Sequence, residues 1–252
     1  MNEHGGIRDD ELFKRMPLAE RWQHHILILA FSVLMITGLP LLVPGIKAFA
    51  AWVTPGKAFR LRGLIHRAAA VLLVTDLIWR AVYSLTTRRG KLNFAWARPR
   101  AHDAQDAWQL LRYNLGLADS APEFGHYSVI EKFEYWSVAW GSAIMIATGF
   151  FLWKSTFSLK LFPVWLHEIF IAVHGWEAIL GLIAILIFHM YNVHLNRDVF
   201  PMSTVWLHGK ITGRELRRTH PLEYREILEK RGADISVTDN ALSKTEAPAQ
   251  PK

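Results

Sequence analysis

Histidine is the residue type in this chain with the most chemistry to offer. The sequence has 12 histidines and no cysteine. Without cysteine this chain holds no disulfide, thiolate metal site, iron–sulfur cluster or covalently attached c-type haem. Neutral imidazole remains, as a ligand for iron or another metal and as a proton carrier near neutral pH. His24, His25, His66, His174 and His189 lie in or at the ends of apolar stretches. An ionisable group is expensive inside a membrane, so each is a functional candidate.

Spacing sharpens the candidates. His174 and His189 are 15 residues apart. On a regular helix that is about 22 Å along the axis, with a net angular offset of about 60°. The two rings then share a face at opposite depths. His66 falls at the depth of His174, and His24 (or its neighbour His25) at the depth of His189. Two His pairs at two depths are what two bis-imidazole haems require of a helical bundle. His167 competes with His174 from nearly the same face, and His194 follows His189 by five residues. A proton or metal transporter, or plain interhelical polar contacts, would use the same residue type. Gly38, Gly141, Gly149, Gly175 and Gly181 are small enough to admit a ring, or merely to pack helices.

The elements that must position these residues are membrane spans. The chain has 252 residues, 51% of them hydrophobic, which excludes a disordered chain or a small disulfide scaffold. Four stretches are long and apolar enough to cross a bilayer, for which about 20 residues suffice. They run from His24 to Pro44, Leu64 to Leu85, Tyr135 to Trp153 and Val164 to Tyr191. The first follows a charged leader and ends at Pro44-Gly45 after a bend at Leu39-Pro40, so it is a span and not a cleavable signal peptide. The second carries Asp76 and Arg80, four apart and able to pair on one helix face while Arg80 snorkels outward. The fourth carries Glu168 and Glu177.

The net charge of +7 fits either nucleic acid or loops beside a bilayer, and its placement decides. With four crossings, 21 Lys and Arg fall on the side of both termini and six on the other. The positive-inside rule then places both termini in the cytoplasm, and no nucleic-acid partner is needed to explain the basic residues. The expected architecture is all-α: an integral membrane four-helix bundle with a cytoplasmic amphipathic helix and a C-terminal extension. Its parts are residues 1–23, a bundle over 24–195, a charged helical segment over 196–231 and a disordered tail over 232–252. The amphipathic helix spans Asp103 to Gly116, with Trp108, Leu111 and Leu115 on one face for the bilayer surface or a soluble partner. His102, His126, His208 and His220 read as solvated loop residues. No internal repeat is visible.

Short motifs then converge in order. Arg21-Trp22-Gln23-His24 opens the first span, with Thr37-Gly38 later in it. Leu64-Ile65-His66 follows, then Tyr135-Trp136-Ser137, Thr148-Gly149, His174 and His189-Met190-Tyr191. Gly209-Lys210-Ile211, His220-Pro221 and Tyr224-Arg225-Glu226-Ile227 complete the series. Over residues 15–230 the chain resembles the membrane cytochrome b (gamma) subunit of quinone-linked formate dehydrogenases, and related di-haem cytochrome b subunits of respiratory complexes.

The resemblance implies a subunit of the bacterial inner membrane that moves electrons between an extracytoplasmic redox partner and the quinone pool. It implies two haems b, one on His66 and His174 with Arg67 near its propionates, and one on His24 and His189. It implies a quinone, menaquinone or ubiquinone, near Tyr127, Ser128, Glu131, Lys132 and His189. The partner would be an iron–sulfur or multihaem c-type cytochrome subunit. Two departures stand out: the gap between the helix-4 ligands is one residue longer, and Ser128 and Glu131 replace an amide pair. The competing reading is a non-redox membrane anchor, or an ion or metal transporter.

Overall fold

The computed structural model of the protein describes residues 6–42, 45 and 50–232. These form two compact units, one from residues 16–98 and 132–209, the other from residues up to 15 with 99–131 and from 210 onward. The expected division followed chain order, whereas the second unit gathers three separate stretches.

The first unit is helical. Its long elements are α1 (Leu18–Leu42), α3 (Lys57–Thr86), α6 (Val129–Trp153) and α8 (Val164–Ile183), with short α2 (Ala50–Val53), α4 (Arg88–Ala97) and α7 (Ser155–Leu161) between them. The last long helix continues through π-helical turns at Ala184–His189 and Tyr191–Leu195, and α9 (Val205–His208) follows. Four helices are long and apolar enough to cross a membrane: Leu18–Leu42, Lys57–Thr86, Val129–Trp153 and Val164–Leu195. The first three begin six or seven residues before the expected starts. Apolar composition marks the lipid-embedded part, while the hydrogen-bonded ladder continues into polar turns at the ends. Large apolar side chains such as Ile36, Ile78, Trp140 and Ile187 point outward, as a lipid-facing surface requires. The expected stop at Pro44-Gly45 falls partly outside the described residues.

Pro40 sits inside α1. It removes one ladder N–H and opens the helix locally. Arg62 of α3 donates to the Thr37 carbonyl in that turn at 2.8 Å, and to the Trp52 carbonyl of α2 at 3.2 Å. The π turns lie between His174 and the end of that helix, and a π-bulge takes an extra residue into a helix without breaking it.

The second unit holds a small antiparallel pair, β1 (Leu12–Lys14) with β2 (Lys210–Thr212), in the register Phe13 to Ile211. It also holds α5 (Ala101–Asn114) and α10 (Gly213–Thr219), and α11 over residues 221–232. Ile211 and Leu216 are its buried apolar residues along with Ile7. Within the charged helical segment expected over 196–231, residues from 213 onward form two helices broken at His220. Thr212 caps α10 by accepting from the Glu215 N–H at 3.2 Å. On α5, Asp103, Asp106 and Leu110 are half-buried while Trp108, Leu111 and Leu115 are exposed, so its apolar stripe faces outward. The expected disordered tail lies, apart from residue 232, outside the described residues.

Candidate haem sites

The helical unit brings the candidate histidines together in two pairs. The rings of His66 on α3 and His174 on α8 have centroids 6.5 Å apart, and those of His24 and His189 6.4 Å apart. Two imidazoles that held one metal between them would be spaced by its bonds. A metal–nitrogen bond of about 2.0 Å plus about 1.1 Å from nitrogen to ring centre, taken twice, gives about 6.2 Å. Both pairs stand at that separation. His25 faces Trp22 and Trp206 instead, and His167 lies 3.4 Å from Ser158 of α7.

The surroundings of the first pair repeat. Thr37 of α1 donates its hydroxyl to the Val33 carbonyl at 2.6 Å and lies 2.8 Å from Nδ1 of His66. Thr148 of α6 donates to the Ile144 carbonyl at 2.7 Å and lies 2.9 Å from Nδ1 of His174. A hydroxyl has one proton, and the carbonyl takes it. Each threonine therefore accepts from an Nδ1–H, which leaves Nε2 bare for a metal. The next residue in each helix is glycine. A Cβ on Gly38 would lie 3.3 Å from Cε1 of His66, and one on Gly149 would lie 3.1 Å from Cε1 of His174. Each Thr-Gly step is a seat for a ring, a role that the residue pattern did not reveal. Of the other small residues, Gly141 admits Glu177, whose Oε1 would lie 2.7 Å from a Cβ there. Gly175 and Gly181 admit Leu42 and Phe31, which is ordinary helix packing.

The second pair is built differently. Nδ1 of His189 lies 3.0 Å from Oε2 of Glu134 on α6. A carboxylate only accepts, so His189 also presents a bare Nε2. Nδ1 of His24 is buried with no hydrogen-bond partner. Glu134 was not among the sequence candidates, although a carboxylate opening the third span at the depth of His189 was its signal.

These residues fit haem b. Three of four ring tautomers are fixed with Nε2 available, each pair of rings is close enough to hold one metal between them, and glycines keep both rings of one pair uncrowded. Arg67 is exposed beside His66, and the buried arginine of that end is Arg62.

Over residues 15–201 the chain matches the prokaryotic cytochrome b561 family. The chain belongs to that family. It is therefore a membrane haem b protein of electron transfer, a subunit type found in oxidoreductase complexes. It is 23% identical to the formate dehydrogenase cytochrome b556 subunit of Haemophilus influenzae over 239 residues, 91% of this chain and 90% of that one. It is 27% identical over 112 residues to the cytochrome b556 subunit of the nitrate-inducible formate dehydrogenase of Escherichia coli K12, 44% of this chain and 49% of that one. The same figures hold for the corresponding Shigella flexneri subunit.

Of the quinone candidates, Tyr127, Ser128 and Glu131 belong to the second unit, Lys132 and His189 to the first. Ser128 and Glu131 form the capping box of α6. The Glu131 N–H donates to Ser128 Oγ at 3.2 Å, and the Ser128 N–H to Glu131 Oε2 at 2.7 Å. The S-x-x-E pattern was the legible signal for this. Glu131 also meets His220 at 3.2 Å and Arg15 at 3.6 Å.

Two of the histidines expected in solvated loops are not solvated. His126 and His220 lie largely buried around Arg15 and Glu223. Arg15 reaches Glu223 at 2.5 Å and Nε2 of His220 at 2.8 Å, and donates to the His126 carbonyl. His126 Nδ1 lies 2.7 Å from Glu223. Burial alone pushes the Glu223 carboxyl up, but contact with His126 and the Arg15 charge outweigh it and hold the group below the usual carboxylate range. This network joins the N-terminal segment to the stretches around 126 and 220, which is why these histidines are drawn inward.

Proposed function

We propose that the chain carries two haems b, His66 with His174 holding one and His24 with His189 the other, and passes electrons across the bilayer between a quinone and an extracytoplasmic redox partner. The observation that carries this reading is the recurrence, at two depths of one bundle, of imidazole pairs close enough to hold one metal between them. Bound there, haem b supplies one-electron chemistry at iron. The chain's own residues orient and tune. Thr37 and Thr148 hold one pair of rings by neutral hydroxyls, and Glu134 holds His189 by a carboxylate. The outward apolar faces of the spans keep water from the rings.

The names of the relatives favour a formate dehydrogenase or a similarly built complex. With no cysteine here, any iron–sulfur cluster belongs to the partner, which is an iron–sulfur or multihaem c-type subunit. The basic residues favour both termini in the cytoplasm of a bacterial inner membrane. The quinone, menaquinone or ubiquinone, exchanges electrons at the His24–His189 end. Its assignment to Tyr127, Ser128, Glu131, Lys132 and His189 rests on the sequence resemblance.

A reduced-minus-oxidised spectrum with a pyridine haemochrome assay on purified, haem-replete protein tests this reading. Two haems b per chain are expected. A folded preparation that binds none would overturn it in favour of a membrane anchor.

A further inference from the structure

The seam between α1 and α3 carries a buried polar row that neither haem site uses. Asp76 is only 4% exposed, and its Oδ1 has no hydrogen-bond partner. The sequence suggests a pair with Arg80, one turn on. No ion pair joins them among the described residues. Arg80 extends toward the other end of α1, donating to Gln23 Oε1 at 3.2 Å and covering the Tyr135 ring at 5.7 Å. Gln23 is equally buried, and its Nε2 also lacks a partner. Beyond it, the buried Glu20 accepts from Asn93 at 2.5 Å and from Tyr83 at 3.1 Å.

Three contacts set one antiparallel register: Thr37 with His66, Gln23 with Arg80, and Glu20 with Tyr83. That register places Asp76 opposite Leu27, three residues from His24 and deeper in the span. A carboxylate left with an empty acceptor and an amide left with an empty donor are costly in a dry seam. Water between them would satisfy both. On that register the polar groups toward the same end as Asp76 are Arg80 on its own helix and Gln23, His24 and Glu20 on α1, with His189 and Tyr135 beyond them.

We propose that Asp76 is a proton-binding site coupled to electron arrival at the His24–His189 end, reached by protons along Glu20, Gln23 and internal water. This rests on the haem reading. The balance is simple: with haem bound, one electron from dithionite or a quinol would enter at that end, and one proton from water would convert the Asp76 carboxylate to the acid. The added negative charge is thereby neutralised inside the membrane, where solvent cannot screen it. Arg80, turned toward Gln23, leaves Asp76 free to take that proton.

The test is a potentiometric titration of the full-length haem-loaded protein over a range of pH. In the wild type, one haem midpoint is expected to fall as pH rises. Asp76→Asn should lose that slope with haem content unchanged, and Asp76→Glu should keep it. A slope that persists in Asp76→Asn, or no slope in the wild type, overturns the proposal. Haem absent from the wild type would defeat the haem reading instead, and the haemochrome assay tells these apart. If Asp76→Asn fails to accumulate, the infrared difference spectrum of the wild type on reduction decides. A new protonated-carboxyl band is expected, and its absence overturns the proposal.

Discussion

The two ends of the helical unit hold their imidazoles at nearly equal separations, 6.5 Å and 6.4 Å, yet surround them with different chemistry. At the His66–His174 end each ring meets a threonine hydroxyl and a glycine on the facing helix. At the His24–His189 end one ring meets a carboxylate and the other has no partner for Nδ1. Buried Glu20, Gln23 and Asp76 lie on the α1–α3 seam toward that second end. On the proposed reading a shared metal would fix the spacing of the rings, whereas the groups behind them are open to tuning. One end is neutral and repeated, as suits passing electrons on. The other is charged and asymmetric, as suits coupling electrons to protons.

The largest expected effect comes from filling a glycine seat. Gly149→Leu should drive its side chain into His174, and Gly38→Leu into His66. Both should remove the same haem, leaving the His24–His189 haem in place. Haem content and the residual difference spectrum check this. Loss of different haems would break the pairing across helices.

The next effect is electrostatic. Glu134→Gln removes a negative charge beside His189 and with it a stabilisation of ferric iron. The midpoint of that haem alone should rise, by about 60 mV if the equilibrium shifts tenfold for one electron. Redox titration measures it, and an equal rise of both haems would erase the contrast between the ends.

Much of this was legible in the sequence. Apolar stretches marked the four spans, and helical depth paired His66 with His174 and His189 with His24 or its neighbour His25, the preference for His24 resting on the resemblance. The Thr-Gly steps were visible as motifs, but their role was not. A hydroxyl that donates to its own helix and accepts from a facing ring is defined only once two helices are placed side by side. Glu134 was hidden for the same reason. His126 and His220 looked like loop residues because the partners that draw them inward, Arg15 for both, Glu223 for His126 and Glu131 for His220, lie far from them in the chain. The π turns before His189 could not be read from a pattern that assumes a regular helix.

The smallest expected effect separates the two threonines from the carboxylate. Thr37→Val and Thr148→Val each remove one neutral hydrogen bond, worth about 1 kcal/mol net. Each should lower the unfolding temperature of the holoprotein slightly and move the His66–His174 midpoint less than Glu134→Gln moves the other. A larger shift from either threonine would mean that hydroxyls, not charge, dominate the tuning.

The central claim is that four histidines act as two pairs, and haem stoichiometry across the four single His→Ala variants tests it most directly. His66→Ala and His174→Ala should lose one and the same haem. His24→Ala and His189→Ala should lose the other, each identified by its own midpoint and difference spectrum. Full haem content in any of the four, or a loss that does not sort into these two pairs, would contradict the account.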